Sequence, residues 1–422
     1  MKIAGLILAA GKSTRFKGAT PKFLHLLLGR RIIDYVTDAM RPFVDALFYV
    51  SSPAYLVHPD AIIQHDPQGT GHAVMTALSH IKADKVLIVF GDTPFVSSET
   101  IQKMCVSTAA ITIAAFKTDR LDQPYGRVDP VSKKIIQYKD ASDQQKQNPL
   151  CHAGIMIADY QVLDDFLPRL STNNKAKEYY LTDVVNMFEG EVGLVEGTEE
   201  EFIGIDTRQD LAVASALRND RLIKQHMANG VTFQGPASLA YDTQLGVDVE
   251  IGAHVVFGPG VIIESNTRIL PFCYLENCHI KSDCMVGPFA HIRGGSQLEE
   301  GAEIGNFVEV KKSIIGKKSK AKHHTYLGDA LIGECVNIGA GTITCNYDGQ
   351  RKSQAVIEDG AFIGSNVNLI APITVGAGAY IGAGSTVSKD VEPGTLVVER
   401  GEEKRKVRYS TMDANRGCDL LS

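Results

Sequence analysis

Between residues 245 and about 391 the sequence returns to an aliphatic side chain at every sixth position. Leu245, Ile251, Phe257, Ile263, Ile269 and Leu275 make one run, and after a five-residue step Ile280, Val286, Ile292, Leu298, Ile304 and Val310 make the next. Ile315, Ala321 and Leu327, then Ile332 and Ile338, and finally Ile357, Ile363, Leu369, Val375, Ile381 and Val387 carry the rhythm on. Glycine often follows the aliphatic, as at Gly258, Gly305, Gly316 and Gly364, and a small or β-branched residue stands four places after it, as at Thr267, Ala302, Ser319 and Ser385. A period of six fits neither a helix nor simple strand alternation, and a fixed internal period means a repeat architecture. Short flat strands joined at glycine-rich corners stack into a prism, each coil burying one aliphatic per side. The expectation is a parallel β-helix, which by itself is only a scaffold.

Function has to be sought where the rhythm falters. Over 344–356, Cys345-Asn346-Tyr347-Asp348-Gly349 interrupts the count, and an Asp-Gly turn in a regular solenoid predicts an extruded loop. The second irregularity is compositional: Lys311, Lys312, Lys317, Lys318, Lys320 and Lys322 precede His323-His324. A lysine run alone reads equally well as a solvated face.

The chain has 422 residues, 44% hydrophobic and 22% charged, with a formal charge of −6. That balance gives no argument for nucleic acid, and no apolar run reaches membrane-spanning length. Met1-Lys2-Ile3 leads straight into a strand, so no signal peptide is expected. The eight cysteines have neither paired metal-ligand spacing nor disulfide-scaffold density; Cys273 and Cys284 fall on the small inner position of the repeat. A reducing cytoplasm is the expected compartment.

The first half has another texture. Lys2 to Gly11 reads as a buried strand ending in glycine, with further strands expected at 46–51, 85–90, 111–116 and 154–157 and helices at 71–82 and 97–106. Alternating β and α elements predict a mostly parallel sheet covered on both faces, with its ligand site at strand carboxyl ends. Gly11-Lys12-Ser13 is not a P-loop, because position 6 is Leu. It remains a glycine-bearing cationic loop, with Arg15 and Lys22 suited either to phosphates or to solvent. Thr207 is placed to cap a joining helix carrying Leu211, Ala214, Leu217 and Leu222, ending near Asn229-Gly230.

The order of short motifs carries a resemblance. Leu8-Ala9-Ala10-Gly11, Arg15 and Pro21-Lys22 resemble the signature of sugar-phosphate nucleotidylyltransferases. Gln64, Gln68-Gly69-Thr70-Gly71, Phe90-Gly91-Asp92, Pro124-Tyr125-Gly126-Arg127 and Gly204-Ile205-Asp206 follow in that family's order. The repeat half resembles the hexapeptide acyltransferases, whose prism is left-handed. Asn306 to Lys312, Lys320 to Tyr326 and Asn337 to Gly349 resemble an acetyltransferase signature within them. Together the halves resemble, over essentially the whole chain, the bacterial bifunctional enzymes of UDP-N-acetylglucosamine synthesis.

The resemblance implies an α/β nucleotidyltransferase (Rossmann-like) domain at 1–206, a linker helix at 207–235, a left-handed parallel β-helix of hexapeptide repeats at 236–395 and a tail at 396–422. It implies that Mg2+ is held by Asp92 and Asp206 and that Arg15 and Lys22 steady phosphates. Leu8, Ala9, Ala10, Gly11, Gln64, Gly69 and Thr70 would read the uracil of UTP, and Phe90, Gly91, Gly126, Gln137 and His152 would complete the nucleotide and sugar site. In the second half it implies His323 as catalytic base, with Arg293, Lys311, Tyr326, Asn337 and Lys352 holding glucosamine-1-phosphate. Acetyl-CoA would lie along Ala340, Asn346, Tyr347, Ser365, Ala383 and Arg400. A homotrimer acting on small molecules, without nucleic acid or membrane, is implied too.

The chain departs from the family pattern at several places. Gln137 stands where a Glu is usual, His152 where an Asn is usual, and Asp206 where the second metal ligand is usually Asn. His324 replaces a usual Leu, and Gly294 follows Arg293 where Pro is usual. Gln donates where Glu only accepts, and imidazole differs in geometry from an amide, so an alternative expectation is altered sugar preference in the first half. A non-catalytic scaffold, as in some translation-factor exchange subunits, would need no coincidence of Arg15, Lys22, Asp92 and His323.

Overall fold

The computed structural model describes residues 1–11, 13–401 and 405. Lys12 of the glycine-bearing loop and positions 402–404 and 406–422 of the tail, including Lys404 and Lys406, lie outside the described residues. The chain divides into two compact units, residues 1–224 and 225–422.

In the first unit the wholly buried strand Ile3–Ala9 lies inside a sheet, flanked in parallel by Ala46–Ser51 and Lys85–Phe90. Across the sheet the order is Val192–Gly197, Ile111–Lys117, Leu150–Asp159, Lys85–Phe90, Ile3–Ala9, Ala46–Ser51, Ile62–Ile63. The parallel expectation fails at Leu150–Asp159, longer than predicted and antiparallel to both neighbours, with a bulge between His152 and Met156, and at the short antiparallel pair Arg127–Val128 and Ile135–Ile136. The chain passes from Ile3–Ala9 to one side and then returns to the other, and such a switch point is where open α/β sheets take ligands, at the strand carboxyl ends. Apolar layers cover both faces, one including Leu6, Ile88 and Val74 and the other Ile7, Val89 and Ile33.

The helix expected at 71–82 spans Thr70–Leu78. His80 and Ile81 bond back only three residues, to Ala77 and Leu78, so the helix ends in tightened turns. Ser98–Cys105 starts as expected, because the Ser97 side chain accepts from the Thr100 N–H. Arg208–Ala228 is capped reciprocally: Asp210 N–H donates to the Thr207 hydroxyl, while the Asp210 carboxylate accepts from Thr207 N–H.

The second unit is a stack of coils with three columns of short parallel strands. Glu250–Ile251 lies on Arg268–Ile269, which lies on Met285–Val286. Val256–Phe257, Tyr274–Leu275 and His291–Arg293 form a second column, and Val261–Ile263, Cys278–Ile280 and Ser296–Leu298 a third. Of the aliphatics that define the rhythm, all but half-buried Leu245 are buried. Burying each such side chain contributes about 1.5–3 kcal/mol. The small residues four places on, among them Thr267, Ala302, Ser319 and Ser385, are buried as well.

Glycine turns some corners as expected, with positive φ at Gly301, Gly341, Gly360, Gly378 and Gly384, but most glycines directly after the aliphatics serve another purpose. At Gly305 and Gly316, neither of which has a positive φ, an added Cβ would overlap the carbonyl oxygen of Lys322 or Gly333 on the next coil. Close approach of coils, not turning, excludes side chains there. Many corners are made instead by non-glycine residues in the left-handed region, among them Phe272, Phe289, Phe307 and His324. Each such residue costs about 1–2 kcal/mol. The aromatic ones stack along one edge, with ring centroids 5.2 Å apart for His254 and Phe272, 5.0 Å for Phe272 and Phe289, and 5.3 Å for Phe289 and Phe307.

Candidate active sites

The carboxyl edge of the first unit's sheet gathers the sequence-predicted residues into three groups. Leu8, Ala9 and Ala10 turn their side chains into the core, leaving backbone at the edge. Tyr55, which the sequence reading missed, fixes that backbone: its hydroxyl donates to the carbonyls of Ala9 at 2.9 Å and Gly11 at 2.7 Å. Burial pushes the phenol up to about 12, so it stays a donor at neutral pH. Gly91 donates to the Leu8 carbonyl at 3.0 Å and leaves no slack for a Cβ against Ile7, Ala9 and Phe23.

The charged group follows directly. Ile205 N–H donates to the Asp92 carbonyl at 2.9 Å, which brings Asp206 beside Asp92. The Asp206 N–H in turn donates to Asp210 at 3.1 Å, tying it to the cap of the joining helix. The Lys22 ammonium bridges the two carboxylates, bonded to Asp92 and, at 2.6 Å, to Asp206, while Arg15 reaches Asp206 at 3.0 Å. Burial alone would depress the buried Lys22 ammonium, but the two carboxylates outweigh it and hold its pKa above the ordinary lysine value. Arg208 donates to the Phe16 carbonyl at 3.2 Å, steadying the turn that carries Arg15. Asp92 and Asp206 are hard oxygen donors, joined by no third His, Cys, Asp or Glu in a metal-holding group among the described residues. That set fits a Mg2+ ion that takes its remaining ligands from phosphate oxygens and water.

The second group is a neutral clasp. Gln64 is buried, accepts its place through a bond from its N–H to Ser51, and approaches His72 Nδ1 at 2.8 Å through its amide. Gly69 has φ +114 and no room for a Cβ beside Tyr179; Thr70 opens the following helix and accepts from Leu181 N–H at 3.1 Å. The third group centres on Gly126, whose carbonyl accepts from His152 N–H at 2.8 Å, with Gln137 nearby donating to the Thr182 hydroxyl at 2.9 Å. Burial pushes His152 down to about 4, so its ring is neutral, and its Nε2 has no hydrogen-bond partner among the described residues. Arg127, also missed as a structural element, is fully buried and donates to the carbonyls of Leu121, Tyr125 and Lys146, pinning the Gly126 loop.

On the prism, register sorts the predicted residues by position. Asn306 and His323 are partners on successive coils, and Gly341 donates to His324, Asn366 to Ala340 and Gly384 to Ser365. His323, Ala340, Ser365 and Ala383 therefore follow one another up a single corner. Below His323 a shallow pocket of about 230 Å³ is lined by Met285, Gly287, Pro288, Glu303 and Asn306 among others. Asn337 lies on the face leading into that corner, in register with Lys320.

Arg293 and Lys311 are register partners at a different corner, and Tyr326 stands on the intervening face beside Glu309. Arg293 donates twice to Glu309, at 2.9 and 2.6 Å. The strand Glu303–Lys311 carries both Asn306 and Lys311 and turns a corner between them at Phe307, whose φ is 56. The loop over 346–353 is extruded as expected, with Tyr347 and Lys352 in an antiparallel bridge. Tyr347 is exposed, whereas Asn346 is buried and its amide is committed to Asp329 at 2.6 Å. Arg400 is exposed.

Comparison with known proteins matches both halves. A family model described as a MobA-like NTP transferase domain covers residues 5–165, and one described as bacterial transferase hexapeptide (six repeats) covers 277–312 and 354–389. The "Bifunctional protein GlmU" of Paramagnetospirillum magneticum is 41% identical over 425 residues, spanning 95% of this chain and 94% of the relative. The chain belongs to the bifunctional GlmU family. GlmU relatives from Sphingopyxis alaskensis, 42% identical over 427 residues, and Thermodesulfovibrio yellowstonii, 38% over 441, span 94% or more of both partners. The hexapeptide match together with the parallel columns makes the GlmU prism a left-handed β-helix, as the resemblance implied.

Proposed function

We propose that the chain makes UDP-N-acetylglucosamine in two steps: acetyl transfer from acetyl-CoA to glucosamine-1-phosphate, then uridylyl transfer from UTP with release of pyrophosphate. The observation that carries this reading is the presence, in one GlmU-family chain, of the Arg15–Lys22–Asp92–Asp206 cluster and the Asn306–His323 corner. Residues 1–206 serve the nucleotidyl reaction and 236–395 the acetyl reaction; 207–235 join them, and 396–422 form the tail.

In the first half, backbone at Leu8 to Gly11 and at Gly69-Thr70, with Gln64, recognises the uracil. A phosphate oxygen of the sugar attacks the α-phosphorus and pyrophosphate leaves, so positive charge must meet oxygens that gain charge. Asp92 and Asp206 would hold Mg2+, which when bound supplies part of that charge. Arg15 and Lys22 supply the rest and orient the triphosphate. Gly126, Gln137 and His152, with Phe90 and Gly91, take the sugar, and a neutral His152 suits an uncharged acetamido group.

In the second half, His323 accepts the proton of the sugar amine as its nitrogen attacks the thioester carbonyl. The C–S bond then breaks and coenzyme A departs as the thiolate. The Ala340 N–H would steady the oxyanion. Arg293, Lys311 and Lys352 meet the sugar phosphate, Tyr326 and Asn337 its hydroxyls, and acetyl-CoA runs along Ala340, Asn346, Tyr347, Ser365, Ala383 and Arg400.

One prism holds the base and the phosphate-binding cations at different corners, which favours a homotrimer whose acetyl sites draw on neighbouring copies. The exposed ladder of Phe272, Phe289 and Phe307 beside His323 offers the apolar contact for such a neighbour. Placing Asp at Phe289 and Phe307 is expected to lower the solution mass from about three times 45.7 kDa toward the monomer, with loss of acetyl transfer and retention of nucleotidyl transfer. Light scattering after size exclusion measures this, and an unchanged trimer mass removes the ladder from the interface. A cytoplasmic location accords with the free thiols of the described cysteines. The overall reading is tested by pyrophosphate release across several sugar-1-phosphates and nucleoside triphosphates: N-acetylglucosamine-1-phosphate with UTP should be the best pair, and preference for another overturns it.

A further inference from the structure

We infer that Asn306 is a positioning residue for acetyl transfer, holding His323 as the tautomer whose Nε2 carries the free lone pair. The inference rests on the reading of His323 as the base. The Asn306 Oδ1 and His323 Nδ1 atoms lie 3.0 Å apart. An amide oxygen only accepts, so Nδ1 is the protonated nitrogen of the neutral ring and Nε2 is left unprotonated.

The fold makes this pairing reproducible. Asn306 and His323 are register partners on adjacent parallel coils, where side chains of one column stand about 4.8 Å apart. Each is followed by a corner residue in the left-handed region, Phe307 with φ 56 and His324 with φ 38, so both side chains leave the prism at the same point of the turn. Gly305, immediately before Asn306, packs so closely against Lys322 that an added Cβ would overlap its carbonyl oxygen, so the two coils meet at short range beside the pair. The Asn306 side chain makes no other hydrogen bond to a described residue than the one to His323.

The choice of an amide also has a chemical consequence. Asn306 orients the ring without adding charge, whereas a carboxylate there would favour the imidazolium and leave less free base. The charged groups around the pair are occupied with one another: Glu303 accepts from Lys320 at 3.0 Å and Lys322 at 2.5 Å. Asn306 is therefore the group beside His323 that can select a tautomer while staying neutral.

The test compares Asn306→Ala, Asn306→Asp and His323→Ala in the full-length protein, with uridylyl transfer as the internal control for folding. Asn306→Ala should lower kcat for acetyl transfer roughly 10–100-fold with little change in KM for either substrate. In the Asn306→Asp variant the acidic limb of the pH–rate profile should move upward by about one pH unit. Long-range proton–nitrogen NMR of the histidine ring should report the Nδ1–H form in the native protein and a mixture in Asn306→Ala. If His323→Ala retains acetylation, the base reading itself fails. If His323→Ala abolishes it while Asn306→Ala keeps native kcat and tautomer, or raises KM alone, the positioning role is overturned. Should Asn306→Ala lose uridylyl transfer as well, the near-isosteric Asn306→Asp profile decides.

Discussion

Replacing Asp92 by Ala is expected to abolish pyrophosphate release, with a loss on the order of 10³-fold, and to leave acetylation of glucosamine-1-phosphate within about twofold of native. The size of the loss follows from what Asp92 touches. It faces the Lys22 ammonium and carries, through its own carbonyl, the bond that brings Ile205 and hence Asp206 alongside. The backbone link survives the substitution, so the fold and the approach of Asp206 should persist. What disappears is one of two hard oxygens proposed for Mg2+ and one of two anions opposing Lys22. A conservative Asp92→Asn variant separates these effects, since it retains an oxygen ligand but removes the charge. Binding of Mn2+ followed by electron paramagnetic resonance should weaken in both variants, more in Asp92→Ala. If pyrophosphate release persists in Asp92→Ala, the metal assignment is wrong. If acetylation falls in parallel, the two reactions do not occupy separate units.

The contrast between the two halves explains how far the sequence could be read. A prism demands the same residue type at the same place in every coil, so the burial of Ile304, Val310 and Ala302 is legible in the six-residue period itself. The corners were less legible, because left-handed Phe272, Phe289 and Phe307 are stabilised by stacking on one another, a tertiary effect that local propensity opposes. The glycine at 305 was visible but misread: coil-to-coil approach, not a turn, requires it. In the α/β unit the short motifs located Asp92, Asp206 and Lys22 separately, yet nothing in their spacing says that one ammonium bridges both acids. Tyr55 and Arg127 escaped for a related reason. Tyr55 donates to backbone carbonyls 46 and 44 residues away, and Arg127 to carbonyls of its own loop and of Lys146, and such bonds leave no pattern in sequence. Asn306 lay inside a recognised signature, but only the register placing it against His323 gives it a role.

His323→Ala should have the mirror-image effect of Asp92→Ala: acetyl transfer reduced roughly 10²–10⁴-fold, uridylyl transfer from UTP to N-acetylglucosamine-1-phosphate intact. The side chain is exposed at its corner and, among the described residues, hydrogen-bonds Asn306 alone, so truncation leaves no buried polar group unpaired. Thermal stability and solution mass should accordingly stay close to native, which separates a chemical defect from a folding one. The neighbouring histidine provides an internal contrast. His324 continues the line of corner residues in the left-handed region, with φ 38, and its carbonyl accepts from Gly341. Its backbone is thus part of the stack, and His324→Ala is expected to retain most acetyl transfer. Coenzyme A release followed with a thiol reagent measures both variants. The decisive comparison raises the pH with His323→Ala: once the sugar amine is deprotonated by solvent, part of the lost rate should return, because the missing group only removes a proton from an attacking nitrogen. A variant whose rate stays flat as the amine is freed would point to His323 binding substrate, not accepting its proton.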